Sequence, residues 1–162
     1  LVELSAPLSS VIESINFLLA NSLPLGRFVA AAFVSLDEAA REGEIWVGGV
    51  PEVLMFGPDG QIERRFVSTN LPLGITRNSD GVRGVERFTW ERPAQLLLLS
   101  DGVPEASRTD GVAFGEDGLP QVLAERLPQV PLIDALTAAL TAHLQGTCAH
   151  DDMSMLVIDC PA

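Results

Sequence analysis

Lysine is absent from this sequence, so its ten basic residues are all arginine and stand against 22 acidic residues. The resulting formal net charge of -12 gives a surface that repels phosphate backbones, which argues against nucleic acid as a partner. Long apolar runs are also missing, since none approaches the roughly 20 residues that a transmembrane helix needs. The first residues lack the charged and apolar regions of a signal peptide, so we expect a cytoplasmic protein without a membrane span.

Cysteine is scarce, and the two cysteines, Cys148 and Cys160, stand in no CxxC or Cys/His pattern that would suit zinc. We interpret both as reduced residues that pack in the interior. A disulfide between them is the alternative, because each lies near one end of the predicted terminal strand.

Apolar residues make up 47% of the 162 residues, which is enough to bury the core of one domain over 1–162. Ser10 and Glu13 form a capping-box pattern before a periodic apolar segment, which predicts a helix over 11–21. Further segments predict strands over 28–36, 44–50, 53–56, 62–67, 85–90, 95–99 and 153–159, and helices over 119–127 and 132–144. The segment 28–36 is too rich in alanine, valine and phenylalanine to be solvent-exposed, so we expect a buried strand there, although the alanine content leaves a helix open. This order of elements predicts an α+β fold built in layers.

Two short acidic segments lie beside apolar strands. Asp101-Gly102 follows the run that ends at Ser100, and Asp151-Asp152 precedes the last strand. A carboxylate at the mouth of a buried strand is costly to desolvate unless a cation or hydrogen bonds compensate, so two of them suggest one shared magnesium or manganese site. Glycine after Asp101 would let the chain turn where a Cβ would crowd the ions and their waters. Taken alone, each segment is more often a turn or a loop cap than a metal ligand.

Five short motifs follow one another along the chain. Ser100 to Ala106 reads S-D-G-V-P-E-A, residues 113–115 read A-F-G, and residues 150–158 read H-D-D-M-S-M-L-V-I. Upstream stand Val47-Gly48-Gly49 and Leu71-Pro72-Leu73-Gly74. Together, over nearly the whole chain, they resemble the SpoIIE-like bacterial branch of the PPM-type metal-dependent serine/threonine protein phosphatases. That branch typically carries T-D-G-V-x-E-A, then F-G, then D-D-x-T.

The resemblance implies two stacked antiparallel β-sheets flanked by helices, the α/β/β/α sandwich of PPM phosphatases. It implies a hydrolase in which two divalent cations, Mn²⁺ or Mg²⁺, bracket a water that attacks the phosphorus of phosphoserine or phosphothreonine. Asp101 and Asp151 would be metal ligands, with Asp152 beside them and Gly102 as the accompanying turn. The implied substrate is a phosphoprotein of a bacterial stress-response or sporulation-like signalling switch, such as a STAS-domain anti-anti-sigma factor.

The sequence departs from the family pattern at its start. An Asp-Gly-x-Gly-His-Gly element, with a bridging aspartate and a glycine carbonyl ligand, is expected before the first helix, and nothing before Ser10 resembles it. We therefore expect an N-terminally truncated domain that follows an upstream sensory or receiver domain and is compatible with a homodimer. The helix over 11–21 would belong to a signal-transmitting switch in this branch, or would simply pack on the core. The alternative function is a catalytically inactive phosphatase-fold module that binds a signalling partner.

Other polar residues allow two interpretations each. His150, next to the acidic pair, could donate to phosphate or act as a general acid, although a loop histidine is more often solvated. Arg64 and Arg65 could hold a substrate phosphate, yet they alternate along a strand, so at least one must face solvent. We interpret His143 as a surface residue of its helix. Residues 107–118 predict a surface loop, with a substrate-side flap as the alternative.

Overall fold

The computed structural model describes residues 6–76, 84–125, 129–147 and 151–162. The elements, in chain order, are α1 (Leu8–Ser22), β1 (Ala31–Asp37), β2 (Glu42–Gly48), β3 (Val53–Phe56), β4 (Ile62–Phe66), β5 (Glu86–Thr89), β6 (Ala94–Leu99), α2 (Gly118–Glu125), α3 (Leu132–Leu144) and β7 (Met155–Cys160). Three helices and two antiparallel sheets confirm the predicted α+β class. Within the described ranges, no helix combines the length and apolarity needed to cross a membrane.

The chain divides into two compact units, Leu1–Glu52 with Phe66–Glu91, and Val53–Arg65 with Arg92–Ala162. The first unit holds α1 and a three-stranded sheet in the order β1-β2-β5. Its core is a cluster of fully buried side chains: Leu8, Ile12, Trp46 and Leu73. The single domain expected over 1–162 stays a prediction.

The start of α1 differs from the predicted one. The helix begins at Leu8, directly after Pro7, and no side chain caps it. The capping box of Ser10 and Glu13 is therefore wrong: Ser10 is already in the first turn, where its carbonyl accepts a hydrogen bond from the Ser14 hydroxyl. Pro7 is the residue that caps the helix: its ψ of 142° is not helical, and its carbonyl accepts hydrogen bonds from the Ser10 and Val11 N–H groups. Proline has no N–H with which to continue the helix toward the N-terminus, so the helix starts after it.

One buried polar residue of α1 was not singled out by the sequence. Asn16 is only 4% exposed. Its Nδ2 donates to the Thr76 carbonyl at 3.0 Å, and its Oδ1 accepts from the Gly74 N–H at 2.9 Å. The amide thus ties α1 to the segment that carries the Leu-Pro-Leu-Gly motif.

The apolar segment predicted to be a buried strand over 28–36 is an edge strand instead. Among the described strands β1 pairs with β2 alone, from Ala31 opposite Gly48 to Asp37 opposite Glu42. Its residues are half-buried, and Phe28 before it is 56% exposed. The predicted strand is thus confirmed over helix. Its predicted full burial is wrong, because β1 lies at the edge of its sheet as far as the described strands show.

The second unit holds a four-stranded sheet in the order β4-β3-β6-β7, together with α2 and α3. β6 is the central strand that its uninterrupted apolar sequence predicted, with Leu97 opposite Leu54 on one side and Val157 on the other. Leucines spaced four residues apart on α3 join these strands in one core. Its fully or nearly buried members are Leu54, Phe56, Leu97, Leu99, Val103, Ala106, Phe114, Leu132, Leu136 and Leu140.

Several sequence predictions fall outside the described residues. They concern Cys148 and its alternative disulfide, His150, and the end of the helix predicted over 119–127. Cys160 is described and is buried at the end of β7, as expected for a packing residue.

Candidate metal centre

The two acidic segments meet at one end of the second sheet. β6 and β7 are antiparallel, and their last pair is Leu99 opposite Met155. Residues that follow β6 and residues that precede β7 therefore lie at the same end of the two strands. A Cβ placed on Gly102 would lie 3.4 Å from the Cβ of Asp151, which measures how close the segments come. Asp101 and Asp151, 50 positions apart in the numbering, are brought to one edge of the sheet.

The two carboxylates share one local geometry. Asp101 Oδ1 accepts a hydrogen bond from the Gly102 N–H at 3.0 Å, and Asp151 Oδ1 accepts one from the Asp152 N–H at 2.8 Å. Each side chain is thus held against the backbone of the next residue. Within the described part of the chain, the second oxygen of each carboxylate makes no hydrogen bond, so one oxygen per aspartate is available to a cation.

The carboxylates are not buried, which overturns one premise of the sequence argument. Asp101, Asp151 and Asp152 are all exposed, whereas Gly102 and Val103 are buried. Desolvation therefore does not demand a compensating cation here. An exposed pair of hard oxygen donors still suits Mg²⁺ or Mn²⁺, which keep several of their waters when they bind to protein.

The ligand set is incomplete in the described residues. In the ranges given above, no three acidic, histidine or cysteine side chains are grouped closely enough to hold a metal ion. Asp101 and Asp151 can supply two oxygen ligands, and the contacts recorded for Asp152 are made by its backbone. The role of these three residues as ligands stays a prediction.

Gly102 is needed for a reason that differs from the expected one. A Cβ at this position would lie 2.5 Å from the carbonyl oxygen of Asp152, a distance that real Cβ atoms essentially never show. Backbone of the second acidic segment, rather than ions and their waters, thus fills the space beside Gly102. The absence of a side chain is what lets the two segments approach each other.

Ser100, the residue before Asp101, connects the same two segments by hydrogen bonds. The Ser100 hydroxyl accepts a hydrogen bond from the Ser154 N–H at 2.8 Å and donates one to the Asp152 carbonyl at 3.2 Å. The Ser100 N–H also donates to the Ser154 carbonyl at 3.0 Å. No local sequence pattern identifies these partners, because they lie 52 and 54 residues away.

The segment 107–118 is irregular, as predicted, but it is fixed by charged contacts and by a buried ring. Phe114 is fully buried. Arg108 makes ion pairs with Asp110 at 3.3 Å and with Asp117 at 2.9 Å. Hydrogen bonds from the Val112 N–H and from the Arg108 guanidinium hold the pKa of Asp110 below its ordinary value. The hydrogen bond to Asp110 and the charges of Asp110 and Asp117 raise the pKa of Arg108. Its role as a substrate-side flap stays a prediction.

The interpretation of His143 as a surface residue is wrong, because the residue is only 7% exposed. Its Nε2 lies 3.1 Å from the Val112 carbonyl oxygen and its Nδ1 lies 3.5 Å from Asp117 Oδ1. The ring also packs edge-on against Phe114. A signal was present, since His143 follows Leu140 by three positions and so extends the buried leucine stripe of α3.

The two arginines of β4 alternate as expected. Arg64 is half-buried and Arg65 is exposed. A phosphate-holding role for either arginine stays a prediction.

The family and the fold have clear relatives. A family model described as stage II sporulation protein E (SpoIIE) matches residues 1–161. The SiaA-PP2C domain of Pseudomonas aeruginosa has a TM-score of 0.73 and 18% identity, over 93% of this chain and 59% of that one. RsbX in complex with magnesium has a TM-score of 0.64 and 15% identity, over 94% of this chain and 64% of that one. A search among curated proteins gave no significant match.

A manganese-presoaked phosphatase domain of the cell fate determinant SpoIIE from Bacillus subtilis has a TM-score of 0.61 and 13% identity, over 97% of this chain and 68% of that one. The chain thus spans only 59% and 64% of the SiaA and RsbX structures. These likenesses confirm the predicted fold, that of PP2C-type phosphatase domains.

Proposed function

The chain belongs to the family of stage II sporulation protein E, and on that premise we propose that it forms part of a metal-dependent phosphatase for phosphoserine or phosphothreonine in proteins. One observation carries the proposal. Asp101 and Asp151 stand in two motifs far apart in sequence, and the antiparallel pairing of β6 with β7 brings them to one edge, each with one oxygen available.

The charge of this edge supports a metal-dependent reaction. The negative carboxylates at this edge repel a phosphate ester, so they cannot by themselves bind the substrate's phosphoryl group. Mn²⁺ or Mg²⁺ held by Asp101 and Asp151, with Asp152 beside them, would reverse that charge. Such ions lower the pKa of a bound water and neutralise charge on the transferring phosphoryl group. A pair of ions needs further ligands besides these aspartates.

We propose a cytoplasmic signalling role, with a phosphorylated STAS-domain anti-anti-sigma factor as the substrate. The support is the family membership and the two segments that match its motifs. The acidic surface, with a formal net charge of -12, suits a protein partner better than a nucleic acid.

The test is Mn²⁺-dependent hydrolysis of an aryl phosphate and of the phosphorylated STAS protein by the full-length protein. Asp101→Asn should lower the rate by at least about 100-fold, because loss of a ligand exceeds the effect of losing an outer partner. Asp59→Asn is a matched control: Asp59 Oδ1 also accepts a backbone hydrogen bond, from Gln61 at 3.1 Å. Asp59 follows β3 and lies near the start of β6, because Phe56 pairs with Gln95, whereas Asp101 follows the end of β6.

Asp59→Asn should keep the wild-type rate. Hydrolysis that does not depend on Mn²⁺, or that survives Asp101→Asn, would refute the proposed phosphatase. Partner binding without any turnover would instead support the catalytically inactive module.

A further inference from the structure

We propose that Ser100 is a positioning residue of this metal centre, whose hydroxyl holds the Asp151-Asp152 segment in place beside Asp101. The inference rests on the proposed function, because it concerns residues that we propose as ligands. It is carried by two hydrogen bonds of one hydroxyl, to Ser154 and to Asp152.

The Ser100 hydroxyl bonds to the opposite segment just beyond the last regular pair of β6 and β7. Regular pairing of β6 with β7 stops at Leu99 opposite Met155, and one more backbone bond follows, from the Ser100 N–H to the Ser154 carbonyl. The N–H of Ser154 then bonds to the Ser100 hydroxyl. A side chain thus continues the cross-strand link by one step, to the point where the acidic segment begins.

Only a group that both donates and accepts can make these two contacts. A carbonyl oxygen accepts and cannot donate, whereas an N–H donates and cannot accept. The Ser100 hydroxyl must therefore give its proton to the Asp152 carbonyl and receive the Ser154 N–H on a lone pair. Serine and threonine satisfy this requirement, and alanine and valine do not.

The carbonyl that Ser100 holds belongs to the residue that orients the proposed ligand. The Asp152 N–H donates to Asp151 Oδ1, and the Asp152 carbonyl is the atom beside Gly102. Fixing Asp152 from both sides therefore fixes the position of the Asp151 carboxylate. Partners that orient a ligand typically change metal affinity by about 10- to 100-fold when they are removed.

The experiment is a Mn²⁺ titration followed by thermal unfolding of the full-length protein and its Ser100→Ala, Ser100→Val and Ser100→Thr variants. Alanine and valine should raise the half-saturating Mn²⁺ concentration by about tenfold, while threonine should stay within about twofold of wild type. Valine matches threonine in shape and lacks only the hydroxyl. Ser14→Ala, which removes a hydroxyl bonded to the Ser10 carbonyl of α1, should leave the Mn²⁺ response unchanged.

A second measurement does not depend on the metal. In the metal-free protein, the Ser154 amide should exchange its hydrogen about tenfold faster in Ser100→Ala and Ser100→Val than in wild type or Ser100→Thr, because one hydrogen bond is lost. This comparison also separates local release from general unfolding, since the amides of the β6 and β7 ladder should keep their protection.

The outcomes distinguish the inference from the function on which it rests. Wild-type protein that shows no Mn²⁺-dependent stabilisation would overturn the metal centre itself. A wild-type response that Ser100→Ala and Ser100→Val share would overturn the positioning role alone. The same holds if Ser100→Thr fails as badly as Ser100→Val, because the hydroxyl would then not be the group that matters.

Discussion

Replacing Gly102 by alanine adds a single methyl group, yet it should disturb the candidate metal centre strongly. The added Cβ would lie 2.5 Å from the carbonyl oxygen of Asp152 and 3.2 Å from its carbonyl carbon. Ordinary contacts of a Cβ begin near 3.4 Å. The Asp152 backbone would therefore have to move by about 1 Å, and it cannot rotate away as the end of a side chain could.

Two consequences of this shift can be worked out separately. Overpacking of a close-packed site usually lowers the free energy of unfolding by about 1–3 kcal/mol. A misplacement of about 1 Å at a reacting centre can lower the rate by about 100-fold. The catalytic loss should therefore exceed what the loss of stability alone would cause, at a temperature where both proteins are folded.

The assay compares Mn²⁺-dependent hydrolysis and urea unfolding of wild type, Gly102→Ala and Gly57→Ala. Gly57 provides the control because a Cβ there would also meet an atom, the Glu63 carboxylate, which is the far end of a flexible side chain. Gly57→Ala should keep the wild-type activity, since Glu63 can swing aside. The reasoning is refuted if Gly102→Ala keeps the wild-type rate and Mn²⁺ dependence, because the close approach would then not position the acidic segment.

Two further predictions concern buried polar groups away from the acidic edge. Asn16→Leu should lower the free energy of unfolding by about 2 kcal/mol, since the side-chain hydrogen bonds to the Gly74 N–H and to the Thr76 carbonyl are both lost. Urea unfolding measures the change, and a loss below about 1 kcal/mol would contradict the prediction. His143→Leu should lower the free energy of unfolding by about 2 kcal/mol, because the partly buried Val112 carbonyl loses its hydrogen-bond donor. His143→Gln retains a donor and should lose less, and equal losses would show that packing alone matters.

The elements that sequence predicted best are those bounded by a breaker and filled with periodic leucines. α3 runs over Leu132–Leu144, the range that was predicted, because Pro131 precedes it and its leucines recur every four residues. At the start of α1 the proline at position 7 and the capping pattern at Ser10 predict different first residues, and the helix starts directly after Pro7. Local steric constraints such as proline can thus be read from sequence. A capping pattern permits a side-chain cap but does not require one, and in α1 no side-chain cap forms.

Burial at the ends of elements could not be derived in the same way. An uninterrupted apolar run shows that a strand is covered on both faces, but not how far the cover extends. Leu99 is 8% exposed, and two residues later Asp101 is exposed. His143 shows the opposite case, because polarity predicts a surface residue whereas its position in the helix places it on the buried face of α3.

A shared site for the two acidic segments was suggested by their places beside apolar strands and made specific by the family resemblance, not by their spacing in the sequence. β6 and β7 are separated by two helices, so nothing local in the sequence says that Leu99 stands opposite Met155. The contacts of Ser100 and Asn16 are hidden for the same reason, because their partners lie more than 50 positions away. Such long-range hydrogen bonds can be predicted only after the pairing of the strands and the packing of the helices are known.

The way the acidic edge is built bears on what it is for. Exposed carboxylates lose little hydration, so Asp101 and Asp151 need no cation to tolerate their surroundings, but gathering negative charges at one edge of the sheet still opposes folding. Here the approach is enforced by a glycine that admits the Asp152 carbonyl and by a serine hydroxyl that bonds to it. A cation that binds the folded edge and not the unfolded chain would relieve the repulsion and stabilise the fold by mass action. Neutralising Asp101 should therefore stabilise the metal-free protein slightly while it weakens Mn²⁺ binding, two opposite effects that a simple surface turn would not combine.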